Sequence, residues 1–254
     1  MKPIEQYEQD GYVIFPEVLD ADLIAEADAH VQWLLQKNPG LRPEQLHHHL
    51  VVNDPFWVRL ISDPRLLDVA AQFIGDNIAL FASHYISKPA YDGQAVLWHQ
   101  DGSYWPLEPM EVVTLWLAVD DATPENGCMR VIPGTHRLTL KDLQESKDIP
   151  NVLNSQIPPE FVEEDKAVDI VLTKGSVSVH HPNLIHGSNP NTSPNRRCGL
   201  TIRYIPTHTQ ITKPDFGCPF LLRGEAVPGI NTYLPKPKYI AGQCMPFRGY
   251  EDWM

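Results

Sequence analysis

The sequence predicts a mainly β fold, a jelly roll with a few helices packed outside it. Three observations carry this. Helix-like apolar spacing is confined to the first 76 or so residues. After Asp76 the chain breaks into short runs rich in β-branched and aromatic residues. Gly and Pro punctuate those runs, as in Pro124-Glu-Asn-Gly127 and Pro133-Gly134.

The elements follow in order. From Asp20 to about Leu35, Leu23, Ile24, Ala27, Val31, Leu34 and Leu35 recur at three- and four-residue steps. Asp20 and Asp22 place negative charge at the start of this helix, and Pro39-Gly40 stops it. Two further helices are expected at Pro55–Ile61 and Pro64–Ile74, with Gly75 as the cap of the second. Strands are expected at Ile78–Ser87, Ala95–His99, Glu111–Val119, Cys128–Ile132, Val168–Leu172, Ser176–His180 and Cys198–Ile205. Many short strands after a helical start suggest sheets closed on themselves. The whole reads as one domain over 1–254. Residues 1–76 give mainly helical support and 77–206 the core, with a polar insertion or lid at 141–165; 207–254 form an irregular extension folded back on it.

With 43% hydrophobic residues the 254-residue chain can fill a sizeable core. A formal net charge of −12 argues against nucleic acid as a partner, since phosphate binding needs clustered Lys and Arg. The first ten residues contain no apolar signal region, and no run reaches the roughly 18 apolar residues that span a bilayer. Cys128, Cys198, Cys218 and Cys244 are scattered and form no Cys-x-x-Cys pair. They read as reduced thiols of a cytoplasmic protein. Oligomeric state is not legible.

The chemistry concentrates in His99-Gln100-Asp101 and in the later His186. Side chains alternate along a strand, so a His-x-Asp triplet at a strand end directs an imidazole and a carboxylate to one side. A second imidazole from a distant strand completes a two-His-one-carboxylate facial triad, which suits iron(II) with open coordination positions. Taken alone, the triplet reads first as a hydrogen-bonded pair on a surface strand, since short motifs of this kind recur by chance. His186 leads Gly187-Ser188 and a basic cluster, whereas His180 and His181 read as neighbours of the ligands or as satisfied core histidines. His47-His48-His49 reads as a solvated run. Arg196, Arg197 and Arg203 could each grip a carboxylate, and spacing alone does not choose among them.

As an ordered set the motifs resemble the phytanoyl-CoA dioxygenase family of iron(II)/2-oxoglutarate oxygenases. The blocks are Gln9-Asp-Gly-Tyr-Val-Ile-Phe15, Ile86-Ser-Lys-Pro89, Trp98-His-Gln-Asp101 and Thr114-Leu-Trp-Leu-Ala-Val119. Asn126-Gly-Cys-Met-Arg-Val-Ile-Pro-Gly-Thr-His-Arg137, His186-Gly-Ser-Asn-Pro-Asn-Thr-Ser193 and Arg196-Arg197 continue the set, which spans about residues 5 to 205. The resemblance implies a double-stranded β-helix, a cupin-like jelly roll. It also implies iron(II) bound by His99, Asp101 and His186, with 2-oxoglutarate and O2 as co-substrates. Arg197, eleven positions after the distal His, matches the residue that binds the far carboxylate of 2-oxoglutarate, with Ser188 beside it and Lys88 and Trp116 lining that site. Gly127, Pro133 and Gly134 read as turn residues.

The implied reaction oxidises, most simply hydroxylates, an unactivated C–H bond of a small metabolite or biosynthetic intermediate. Desaturation, cyclisation and demethylation share its first step. Asp101 stands where halogenating relatives carry a small residue, which disfavours halogenation. Tyr104 and Trp105, directly after the triplet, are expected either to contact substrate or to fill core. The competing classes are a cupin-like metalloenzyme that does not use 2-oxoglutarate and a non-enzymatic binding domain with a vestigial site.

Overall fold

The computed structural model describes residues 2–213 and 215–254. Four α-helices precede or flank the sheets: α1 Pro3–Asp10, α2 Ala21–Lys37, α3 Pro55–Ile61 and α4 Pro64–Ile74. Each of the last three starts at an aspartate whose carboxylate accepts a backbone N–H of the first turn. Asp20 takes that of Leu23 at 2.9 Å, Asp54 that of Trp57 at 3.0 Å and Asp63 that of Arg65 at 3.0 Å. Pro55 and Pro64 occupy the first helical position, where a missing N–H costs nothing.

The principal strands are β1 Tyr12–Phe15, β2 Ile78–Lys88, β3 Val96–His99, β4 Val113–Ala118, β5 Met129–Val131, β6 Val168–Ile170, β7 Val177–His180, β8 His186–Ser188, β9 Arg197–Pro206 and β10 Phe220–Arg223. They pair antiparallel in two sheets, ordered β1-β7-β4-β9-β2-β10 and β6-β5-β8-β3. The arrangement is the expected jelly roll, and every expected strand forms within a residue or two of its expected ends.

Alternation along β9 explains the layering. Cys198, Leu200, Ile202 and Tyr204 pack with α2, α3 and α4 in the largest apolar cluster. Arg197, Gly199, Thr201 and Arg203 take the other face, toward the smaller sheet. All ten residues of β9 are buried, so both faces are committed. A slip of one residue would drive two guanidiniums into the helical core.

Some elements depart from the expectations. The polar stretch Pro3–Asp10 is a helix that buries none of its residues, and Gly11 (φ 82°) turns the chain from it into β1. His136 and Arg137, in the turn after Pro133-Gly134, both reach the carbonyl of Glu8 and fasten this helix. Gly187-Ser188 forms no turn. It continues β8, which pairs with β3 on one side and β5 on the other. Gly187 fits there because an added Cβ would lie 2.9 Å from the Val96 carbonyl. Within 141–165 a two-stranded ribbon (Gln144–Glu145 with Ser155–Gln156) joins the β3 edge through Val152 and Ile157. The extension after 206 is largely irregular but contributes β10, and Met245 and Phe247 enter the core.

Candidate active site

His99 ends β3 and His186 begins β8, and the register places them directly opposite each other. Ladder pairing stops at His99, but Gln100 remains extended (φ −115°, ψ 124°), so Asp101 keeps the side the alternation assigns it. A 3-10 turn then opens at Asp101. Gln100 points the other way and clasps two loops, donating to the Asn183 carbonyl and accepting the Lys141 N–H.

The rings are oriented by their own backbone. Nδ1 of His99 lies 2.8 Å from the Leu97 carbonyl and Nδ1 of His186 2.9 Å from that of Leu184. A carbonyl only accepts, so each Nδ1 carries the proton and each Nε2 keeps its lone pair for the cavity. Nε2 of His99 is 3.4 Å and Nε2 of His186 4.0 Å from Oδ1 of Asp101. Oδ2 of Asp101 is buried without a hydrogen-bond partner. Burial alone would raise this carboxyl. The charge of Arg203 and the neighbouring His180 and His99 outweigh burial and hold it well below the usual range. Burial and His99 push His186 far down, so its ring is neutral. Two lone pairs and a carboxylate converging in a buried space repel one another until a cation joins them, and donor set and spacing fit a divalent iron.

His180, at the end of β7, is a neighbour of the triad and not a satisfied core residue. Its Nε2 stands 3.5 Å from Oδ2 of Asp101, and neither ring nitrogen has a hydrogen-bond partner.

The three arginines separate clearly. Arg196 faces outward to Asp120 and Asp28. Arg197 is buried; its Nε and Nη2 donate to the Gly127 carbonyl at 3.0 and 2.8 Å, and Nη2 also reaches Ser188 Oγ at 3.3 Å. Its guanidinium lies 5.3 Å from the Trp116 ring centre. Burial lowers it to about 10, so it stays charged at neutral pH. Lys88 is fully buried beneath this group, and Nζ donates to Ser188 Oγ at 2.7 Å and to the Asn189 carbonyl. Desolvation and Arg197 push its amine down to about 5. Arg203 lies six residues along the same face of β9, beside Asp101.

These groups line or underlie one cavity of about 290 Å³, which also takes in Tyr104, Trp105 and Trp116. Tyr104 Oη is 2.6 Å from Ser155 Oγ, and Trp105 packs against Phe81 and Arg203. The run His47–His49 departs from its expected solvated state. His48 is buried with both ring nitrogens unpartnered, His47 stacks on His84, and all three line the cavity. Gly199, unremarked in the sequence reading, is the seat of Trp116: a Cβ there would lie 2.0 Å from the indole. The alternation Arg197-Gly199-Thr201-Arg203 against Cys198-Leu200-Ile202-Tyr204 was the available signal for it.

The family model of phytanoyl-CoA dioxygenase (PhyH) matches residues 7–199. The chain belongs to the phytanoyl-CoA dioxygenase family. It is 27% identical to the L-proline trans-4-hydroxylase of Streptomyces griseoviridis, over 88% of this chain and 92% of that one. Among solved structures, apo ThoJ, a non-heme monooxygenase, superposes with a TM-score of 0.78 at 26% identity, covering 93% of this chain and 88% of ThoJ. EctD from S. alaskensis with bound Fe superposes with a TM-score of 0.67 at 25% identity, covering 88% and 86%. This phytanoyl-CoA dioxygenase family member is an Fe(II)/2-oxoglutarate-dependent dioxygenase with a cupin-like fold. Among the described residues no helix is long and apolar enough to cross a membrane.

Proposed function

We propose that this dioxygenase hydroxylates an unactivated C–H bond of a small metabolite, holding iron through His99, Asp101 and His186 and 2-oxoglutarate through Arg197. The observation that carries this reading is the convergence of the triad and a buried, forked cation in one cavity. Bound there, iron and 2-oxoglutarate supply oxygen activation, with succinate and CO2 released.

The chain's own residues supply the rest. His99 and His186 present Nε2 because their protons are held on Nδ1 by the backbone. Asp101 fills the coordination position that halogenation would need for a halide. Arg197 offers a planar fork to the distal carboxylate of 2-oxoglutarate, and Ser188 adds a donor. Lys88 supports both from below, and Trp116 walls the site. Tyr104 and Trp105 face the substrate side, and we read 141–165, which contributes Val152 and Leu153 to the cavity wall, as its lid. All four cysteines are unpaired, which suits a cytoplasmic enzyme. The L-proline hydroxylase among the relatives supports hydroxylation as the outcome.

The test is anaerobic reconstitution with iron(II) and 2-oxoglutarate, reading the weak visible charge-transfer band of the ternary complex. The wild type should show it, and His186→Ala should lose it. Arg197→Lys, which keeps the charge but not the fork, should need at least about tenfold more 2-oxoglutarate. Bound iron with no band in the wild type would overturn the assignment.

A further inference from the structure

The end of the cavity opposite Arg197 is rich in donors and poor in acceptors. Arg203 is buried, its Nη1 committed to His84 Nδ1 at 3.1 Å and Thr201 Oγ1 at 3.0 Å. Its Nε has no hydrogen-bond partner and stands 4.0 Å from Oδ2 of Asp101, whose Oδ1 faces the two imidazoles. Because His84 Nδ1 accepts from Arg203, the ring proton sits on Nε2, a further donor. His47, His48 and His49 complete this wall, and His48 has no partner for either nitrogen. Among the described residues the other carboxylate lining the cavity is Asp215, which is exposed.

The three adjacent histidines have ligand atoms within 4.8 Å of one another, which raises the possibility of a second metal ion. The triad offsets the charge of a divalent cation with Asp101, whereas these three rings bring no carboxylate and stand near Arg203, which decides against it. The charge of Arg203 already helps to depress His47 and His48, the latter to about 3, after burial and the neighbouring histidines. A divalent cation would meet the same repulsion, and an anion would meet attraction.

We propose that Arg203, with His84 and the His47–His49 wall, forms an anion subsite for the substrate's own carboxylate, so that the enzyme oxidises carboxylic acids; Thr201, which accepts from Arg203 and donates to the His84 carbonyl, holds the guanidinium in place. Trp105, over which the Arg203 guanidinium sits at 5.2 Å, and Tyr104 and Phe216 give the acid's body an aromatic lining. The subsite rests on 2-oxoglutarate taking the Arg197 end, as proposed above. The two arginines then divide two carboxylates between opposite ends of one cavity.

The probes are benzoate and indole-3-acetate, each against its shape-matched primary amide. Each is titrated into enzyme loaded with Ni(II), which prevents turnover, and saturated with 2-oxoglutarate. Binding is read by calorimetry and thermal shift. The acids should bind saturably and at least about tenfold tighter than the amides. Arg203→Lys, which keeps the charge beside Asp101, should keep the iron–2-oxoglutarate band and a weakened acid preference, whereas Arg203→Gln, titrated at saturating Ni(II) and 2-oxoglutarate, should show no preference. Equal binding of acids and amides, no binding of either acid, or an acid preference surviving in Arg203→Gln would overturn the subsite. Loss of all acid preference in Arg203→Lys with the band intact would also overturn it. Absence of the band in the wild type would indict the co-substrate reading instead.

Discussion

Lys88 sits at the hinge between structure and ligand chemistry. Burial, and then the charge of Arg197, outweigh the pull of the Glu44 carboxylate and bring the Lys88 amine down to about 5 from an ordinary 10.5. At pH 7 it is therefore neutral in the folded protein without co-substrate. Dianionic 2-oxoglutarate held at Arg197, as proposed, would add countercharge and raise the amine again. Between about pH 5 and the ordinary lysine value, binding should take up about one proton per chain. Calorimetry in two buffers of different ionisation heat measures it, and Lys88→Met should abolish the uptake. Replacing Ser188 by Ala removes an acceptor of Lys88 and a partner of Arg197 at once. A buried donor left unsatisfied costs about 1–3 kcal/mol, and a lowered melting temperature should report it.

At the level of elements, the central strands work because one face belongs to the helices and the other to the chemistry. Gly199 on β9 makes room for Trp116 of the neighbouring β4. Gly199→Ala should cost about 1–3 kcal/mol through overpacking and should push the indole toward Arg197, weakening 2-oxoglutarate binding as well as lowering the melting temperature. The helices and long strands were legible because their period and caps are local: Asp20, Asp54 and Asp63 mark starts, and β-branched runs mark strands. The helix Pro3–Asp10 escaped because it buries no residue fully and leans on the core through Tyr7, which leaves no apolar stripe to read. Strand β8 escaped because three residues of His-Gly-Ser carry no strand pattern, and two flanking strands hold them in place. The iron triad was visible as a motif. Arg203 and His48 were not assigned, because their environment comes from β9 and a loop far away in sequence meeting at one cavity.

For the whole molecule, the buried neutral histidines set the acid limit. His48 is pushed down to about 3 and His181 to about 4, both chiefly by burial, whereas the unfolded chain takes protons near 6.5. Between those values the unfolded state binds more protons, so stability falls as pH falls. Their contribution is complete above pH 6.5 and is lost through pH 4 and then 3, at up to about 1.4 kcal/mol per pH unit for each ring. Thermal melts of the metal-free protein across pH 4 to 7 should show this decline, and His181→Gln should flatten it. Strand β9 has one further consequence at this scale. Its inner face carries Arg197 and Arg203 six residues apart, roughly 20 Å of extended backbone. That spacing is a ruler cut into the most constrained strand of the sheet, between β4 and β2. With both ends of the ruler fixed, which carbon of an acid meets the oxidant is a matter of its length. Changes in regioselectivity must then come from the movable walls at 47–49 and 152–153, because the strand itself has nowhere to slide.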